Sequence, residues 1–169
     1  MKEKIIPRFK ALIFDWLFIC GYLLLIFIVA LVIYLLVLDG IPEFTNLQSQ
    51  LIATFTSVVP IIIIFSIMEG SKKSASWGKS KVGLKVIYKG NPVLGSITRN
   101  TLKFLPWQLG HMSTINGMYN DFDAFSIVFL VISLTLSVIY ILMVVIRKDG
   151  RHLVDILACS KVVAEIDNK

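Results

Sequence analysis

Charged residues are scarce in this chain. Asp, Glu, Lys and Arg make up 17% of its 169 residues, against about a quarter in an ordinary soluble domain. Apolar residues fill the space, at 56% of the chain and a mean hydropathy of +0.80. That balance excludes a soluble enzyme and a disordered tail. The only cysteines, Cys20 and Cys159, lie far apart without metal-ligand spacing, which excludes a disulfide-stapled secreted module. There is no N-x-[ST] sequon, internal repeat or low-complexity segment. Gly78-Lys79-Ser80 looks like the end of a phosphate-binding loop. That motif needs a glycine at position 73, which is Lys73, so a nucleotide site is rejected. No nucleophile, metal or redox arrangement is visible either. His111 has no base beside it and reads as an interfacial polar residue. The expectation is one small integral membrane domain, 1–169, with no cofactor, no metal and no enzymatic activity.

Three apolar runs are long enough to cross a bilayer. Trp16–Leu38 holds 23 residues without a charge, about 34 Å as a helix against a hydrocarbon core of about 30 Å. Leu51–Met68 and Ala124–Ile146 are the others. The first run exceeds a signal-peptide core and has no A-x-A-like site after it, so it is read as retained. A fourth stretch, Ser96–Ile115, carries Arg99, Lys103 and Pro106 among apolar residues. By hydropathy alone it fits a surface helix, a re-entrant hairpin or a weak span.

Charge placement favours a span. All 17 basic residues fall in three groups: before the first run, between 72 and 103, and after the last run. Segments 39–50 and 116–123 hold none, and carry Asp39, Glu43, Asp121 and Asp123 instead. Basic flanks stay cytoplasmic. Three cytoplasmic groups need an even number of crossings, so 96–115 should cross. The expected fold is all-α: a polytopic bundle of four transmembrane helices at 11–38, 49–68, 96–115 and 124–146. A cytoplasmic segment 69–95 and a cytoplasmic tail 147–169 complete it, in a bacterial plasma membrane with both termini inside.

In segment 69–95, Val82, Leu84 and Val86 alternate with other residues, then Lys89-Gly90-Asn91-Pro92 marks a turn before Val93-Leu94. The pattern predicts a short β-hairpin-like unit. Lys72, Lys73, Lys79, Lys81, Lys85 and Lys89 are expected to face anionic headgroups, at about 1 kcal/mol each. Trp77 and Trp107 suit interface positions.

The charged residues near the runs are the candidate site. Asp15 lies about one turn inside the first helix, where a carboxylate must be paired or hydrated. Arg8 lies two turns earlier on the same face, with a water or third group expected between them. Asp15 can be a proton or cation ligand, or an interfacial anchor fixing tertiary contacts. His152 and Asp155 share a face of a short amphipathic tail, as a proton relay or as a local contact. Glu69 ends the second helix, and Arg99 opens the next. Arg8, Asp15, Glu69, Arg99, His152 and Asp155 are therefore expected at one level, as a transport vestibule or as a polar knot.

Four segments resemble one family. Arg8-Phe9-Lys10-Ala11-Leu12-Ile13-Phe14-Asp15 looks like the R-x-x-A-x-x-x-D opening of RDD family membrane proteins. Trp77–Val86 is similar to the central L-G-K-x-x-x-G-L-x-V, with Trp77 in place of Leu. Arg99-Asn100 sits where members have Arg-Asn, and His152–Val163 is similar to the closing H-D-x-x-A-x-T-x-V-V with two residues inserted. The resemblance spans nearly the whole chain and makes Arg8, Asp15 and Asp155 the family's named triad. It implies either proton-coupled cation or small-solute transport through the aspartates, or a non-catalytic accessory, regulatory or immunity subunit. The partners expected are an anionic bilayer and a membrane protein or second copy, not nucleic acid.

Overall fold

The computed structural model describes residues 2–165. The side chains of Lys2 and Lys4, and the whole of Lys169, lie outside the described residues. Helix α1 runs Lys2–Leu36, and the chain returns through α2 (Asn46–Ala53), a π-helical turn (Thr54–Val58) and α3 (Val59–Gly70). A small unit follows, made of α4 (Trp77–Lys81) and β1 (Leu84–Tyr88). Then come α5 (Pro92–Tyr119), α6 (Ala124–Ile146), α7 (Leu153–Leu157) and β2 (Ser160–Ala164). Three helical stretches, Ile5–Leu36, Asn46–Gly70 and Ala124–Ile146, are long and apolar enough to cross a membrane. The α6 bounds coincide with the third apolar run.

The other long helical stretches begin earlier than hydropathy alone indicates, and at α2 and α5 capping chemistry starts them. Thr45 and Gln48 form a reciprocal capping box, the Thr45 hydroxyl accepting the Gln48 N–H and the Gln48 side chain accepting the Thr45 N–H. Asn91 accepts the Val93 and Leu94 N–H groups, and Pro92 occupies the first helical position. That corrects the hairpin expectation: Lys89–Pro92 is a helix start, and Val93-Leu94 belong to α5. The strand partner of β1 is instead β2 in the tail, antiparallel with Val86 opposite Val162.

Helix α5 is the least apolar long helix, yet it is the one packed on both sides, between α3 and α6. Small and polar residues let its neighbours approach. The Ser96 hydroxyl donates to the Ser66 carbonyl of α3 at 2.9 Å. A Cβ on Gly70 would sit 2.6 Å from the same Ser96 oxygen. On the α6 side, Ser113 donates to the Ser126 carbonyl at 2.7 Å and Ser133 to the Pro106 carbonyl at 2.6 Å. Such contacts replace the hydrophobic drive that lipid does not supply. Helix α5 extends from the charged end of the molecule to the opposite end. There the Tyr119 hydroxyl donates to the Phe44 carbonyl at 2.6 Å and Asn46 donates to Asn116 at 2.8 Å.

Two prolines leave a carbonyl without its helical donor, and each is rescued from another helix. Pro60 offers no N–H to Thr56, whose carbonyl accepts the Tyr22 hydroxyl of α1 at 2.6 Å. Pro106 offers none to Leu102, whose carbonyl accepts the Tyr140 hydroxyl of α6 at 3.1 Å. An unpaired carbonyl in hydrocarbon is costly, so each proline–tyrosine pair fixes one helix against another. Tyr140→Phe should lower stability by about 0.5–1.5 kcal/mol. In a Pro106→Ala background, where an N–H is restored to Leu102, the same change should cost clearly less. Unfolding of the four proteins of this cycle in detergent checks the coupling, and strict additivity would contradict it.

Candidate functional site

Every candidate charged residue collects at one end of the helices, in a network that is nearly closed to solvent. Glu69, at the last turn of α3, is fully buried. One of its oxygens accepts from the Lys79 ammonium at 2.5 Å. The other accepts from the Arg99 guanidinium at 2.6 Å and from the Asn100 amide at 3.2 Å. Arg99 continues the chain of charges, its Nε donating to Asp155 Oδ1 at 2.8 Å. Glu69, Arg99 and Asp155 thus join α3, α5 and α7 through one guanidinium. The Tyr88 hydroxyl adds a contact to Glu69 at 3.4 Å, and burial with the Glu69 charge pushes that phenol above its usual range.

Asp15 has a different task. Its side chain accepts the Ser76 hydroxyl and the Gly78 backbone N–H, both at 2.7 Å. Ser76 is the N-cap of α4, so Asp15 holds the first turn of that helix against α1. Gly78 is required by this approach. A Cβ there would lie 2.2 Å from the Ala11 carbonyl oxygen and 2.7 Å from Asp15. The glycine of the Gly78-Lys79 pair allows the contact, and the lysine after it reaches Glu69. Lys79 is therefore not one of the headgroup-facing lysines. It is buried, because a buried carboxylate needs its charge more than the lipid surface does. Lys72, Lys73, Lys81 and Lys89 do lie exposed at this end, and Lys85 is half-buried.

Arg8 is directed away from Asp15, where a bridged pair was expected. It reaches past α4 to the tail, donating to the Gly150 carbonyl and, at 2.9 Å, to the Val162 carbonyl of β2. Gly150 adopts a φ of +63°, which turns its carbonyl toward Arg8 at little cost in a residue without Cβ. The triad positions Arg8, Asp15 and Asp155 are thus three separate fasteners: α1 to tail, α1 to α4, and tail to α5.

His152 occupies the N-cap position of α7 without a capping hydrogen bond, stacks on the Tyr140 ring with centroids 5.8 Å apart, and places Nε2 3.5 Å from Asp155 Oδ2. Burial pushes this imidazole down to about 4, despite the pull of Asp155. Burial would by itself raise the Asp155 carboxyl, but Arg99 and His152 hold it below its ordinary value. Among the described residues, Asp155 Oδ2 and His152 Nδ1 are buried without a hydrogen-bond partner. His111 is half-buried and accepts from Trp107 Nε1 at 2.8 Å, as a helix-internal contact.

Lys79, Ser76, Gly78, Asn100 and Tyr88 belong to this network but are not distinguishable as such from spacing alone. The Gly-Lys pair was the one available signal. Lys103, one turn beyond Arg99, is a further cation on the inner side. Its ammonium lies 4.6 Å from the Phe65 ring centroid and 4.9 Å from that of Phe104.

Two outcomes follow from this arrangement. Arg99→Met strands two buried carboxylates and should destabilise the protein by about 3–5 kcal/mol in detergent unfolding, with Arg99→Lys rescuing little because one ammonium cannot span both. The neutral His152 stabilises the fold fully above pH about 6.5, its unfolded value, and that contribution is lost as pH falls toward about 4. The melting temperature should therefore drop over that window, and the drop should shrink in His152→Asn.

A family model described as the RDD family matches residues 3–159. Neither the curated proteins nor the solved structures give a significant match to this chain. The matched region contains all the fasteners above, Arg8, Asp15, Gly78, Lys79, Arg99 and Asp155, and on that match the chain belongs to the RDD family.

Proposed function

We propose that this protein is a non-catalytic accessory subunit that binds a membrane partner. One observation carries the reading: α1 stands largely clear of its own bundle. It packs on α3 and α4 through its charged half, by way of Ala11, Phe18, Ile19 and Tyr22. Beyond Tyr22 it offers Leu24, Phe27, Ile28, Leu31 and Leu35 with little intramolecular cover. A helix braced at one end and free along the rest suits docking against another transmembrane helix. The aspartates support the same reading. Both Asp15 oxygens are occupied by α4 and Asp155 Oδ1 by Arg99, which leaves Asp155 Oδ2 as the one open carboxylate oxygen of the pair.

The topology that fits is four crossings, with both termini in the cytoplasm of a bacterial plasma membrane. All three basic groups then lie inside. Helix α5 supports it: 28 residues give about 42 Å, enough to cross, and its two ends bond to opposite ends of the molecule. Single cysteines introduced into the cysteine-free protein at Gly40 and Asn120 should label from outside whole cells, and one at Lys89 should not.

Proton-coupled cation transport is the second reading, favoured by the unpartnered Asp155 Oδ2 beside His152. The two readings separate in one comparison. Photo-crosslinkers at Phe27 and Leu31 should capture one membrane protein, or a second copy, at fixed stoichiometry. Proteoliposomes under a sodium or potassium gradient should show no proton flux above empty vesicles. Cation-dependent flux that disappears in Asp15→Asn or Asp155→Asn would overturn the accessory reading and establish transport.

A further inference from the structure

The outer edge of β1 is only half used. The Glu165 N–H donates to the Gly83 carbonyl and the Lys89 N–H to the Cys159 carbonyl, which fixes the phase of the ladder. Lys85 and Ile87 therefore turn their amides toward β2, and the backbone groups of Leu84, Val86 and Tyr88 face the other way. On that side the Val86 N–H donates to the Ser74 carbonyl at 2.7 Å, so the segment after α3 lies along the edge as far as Val86. The next rung consists of the Val86 C=O and the Tyr88 N–H. Among the described residues it has no backbone partner. A cleft of about 290 Å³ lies at this place, lined by Lys72, Ser74, Lys85, Val86, Tyr88 and Pro92.

The chemistry of the cleft selects its occupant. A free or headgroup phosphate uses donors only, and the Val86 carbonyl repels it. A peptide uses both groups, one C=O on the Tyr88 N–H and one N–H on the Val86 C=O, as in the addition of a strand to an open sheet edge. The rung spans about 7 Å, two residues of an added strand. Charge then decides which strand. Lys72 and Lys85 line the cleft, and the exposed Lys73 and Lys89 adjoin it in the chain. Lysines along an edge turn away basic and apolar strands. A second copy of this chain is disfavoured too, because it brings the same lysines to its own edge. An acidic strand meets opposite charge instead, which stabilises cross-strand pairs.

We infer that the open rung of β1 binds an extended acidic segment of a partner protein, its backbone on Val86 and Tyr88 and its carboxylates on Lys72 and Lys85. The inference rests on the accessory reading and adds the partner's chemistry at the charged end. There the strand edge supplies affinity through the main chain, and the lysines supply the choice of sequence.

Fluorescence anisotropy of a labelled hexapeptide of alternating glutamate and threonine, added to the intact protein in maltoside micelles, tests this. The wild type should bind it, and Lys148→Gln, at an exposed lysine of the same end, should bind it equally. Lys72→Gln combined with Lys85→Gln should weaken binding about fivefold, the loss of two partly exposed ion pairs. The same peptide with every amide N-methylated keeps its charge and should bind about tenfold more weakly. On binding, hydrogen exchange should slow at the Tyr88 amide and stay unchanged at Ile87, which is already bonded to β2. Should the double variant not fold, Lys72→Gln alone replaces it, with a loss of about twofold. No binding at about 1 mM peptide, equal binding of the methylated peptide, or unchanged exchange at Tyr88 would overturn the inference. Displacement of the peptide by equimolar pyrophosphate or by phosphatidylglycerol vesicles would also overturn it, by making the cleft a site for anions. Failure here with crosslinking at Phe27 and Leu31 intact removes this site and leaves the accessory reading, whereas failure of both removes both.

Discussion

A carboxylate with no access to water governs the charged end of this molecule. Glu69 sits at 0% exposure on the last turn of an apolar helix. Left alone there, an ionised group costs several kcal/mol, so it must be met by cations and donors from elsewhere. The chain supplies Lys79 from α4 and Arg99 and Asn100 from α5. Each recruit then has its own requirement. Lys79 can arrive only if α4 lies flat on α1, which needs Gly78 and the Asp15 cap. Arg99 brings a second charge-bearing edge, which Asp155 satisfies, and Asp155 fixes the tail. One buried charge thus determines where α4, α5, α7 and β2 lie.

The apolar half obeys the same rule with neutral groups. Lipid offers no hydrogen bonds, so helices carrying Pro60 and Pro106 must find donors for Thr56 and Leu102 within the protein. Tyr22 and Tyr140 provide them. The serines of α5 and α6 bond neighbouring carbonyls in the same way, and their small size brings the backbones together. Among the described residues, helix α1 takes part in only one such bond, at Tyr22, and its distal half is free of the bundle. Uncovered apolar surface and a closed polar network are the two features on which the proposed accessory role rests.

Much of this was legible in the residues alone. Runs without charge locate three crossing helices, since only length and apolarity are needed for that. The six charged candidates gather at one end, because Arg8, Asp15, Glu69, Arg99, His152 and Asp155 all lie near the ends of apolar runs that alternate in direction. Their pairing was not legible. Arg8 and Asp15 share a helix face yet hold different segments, since what each meets depends on loops that fold back from 60 to 150 residues away. Lys79 looks like its exposed neighbours in sequence. The strand at Leu84–Tyr88 was visible, but its partner at Ser160–Ala164 was not, because a two-stranded pairing across three helices leaves no local pattern.

Composition and spacing by themselves determined a membrane protein, its apolar spans and the end at which its charges gather, and the resemblance of four motifs indicated the family. Those properties are local or additive along the chain, so no third dimension is needed to read them. Tertiary structure alone decided which charge meets which, and that α5 occupies the centre of the bundle despite its polar residues. These depend on long-range packing, where burial in a medium of low polarity obliges every charge and every carbonyl to take whatever partner the fold brings within reach.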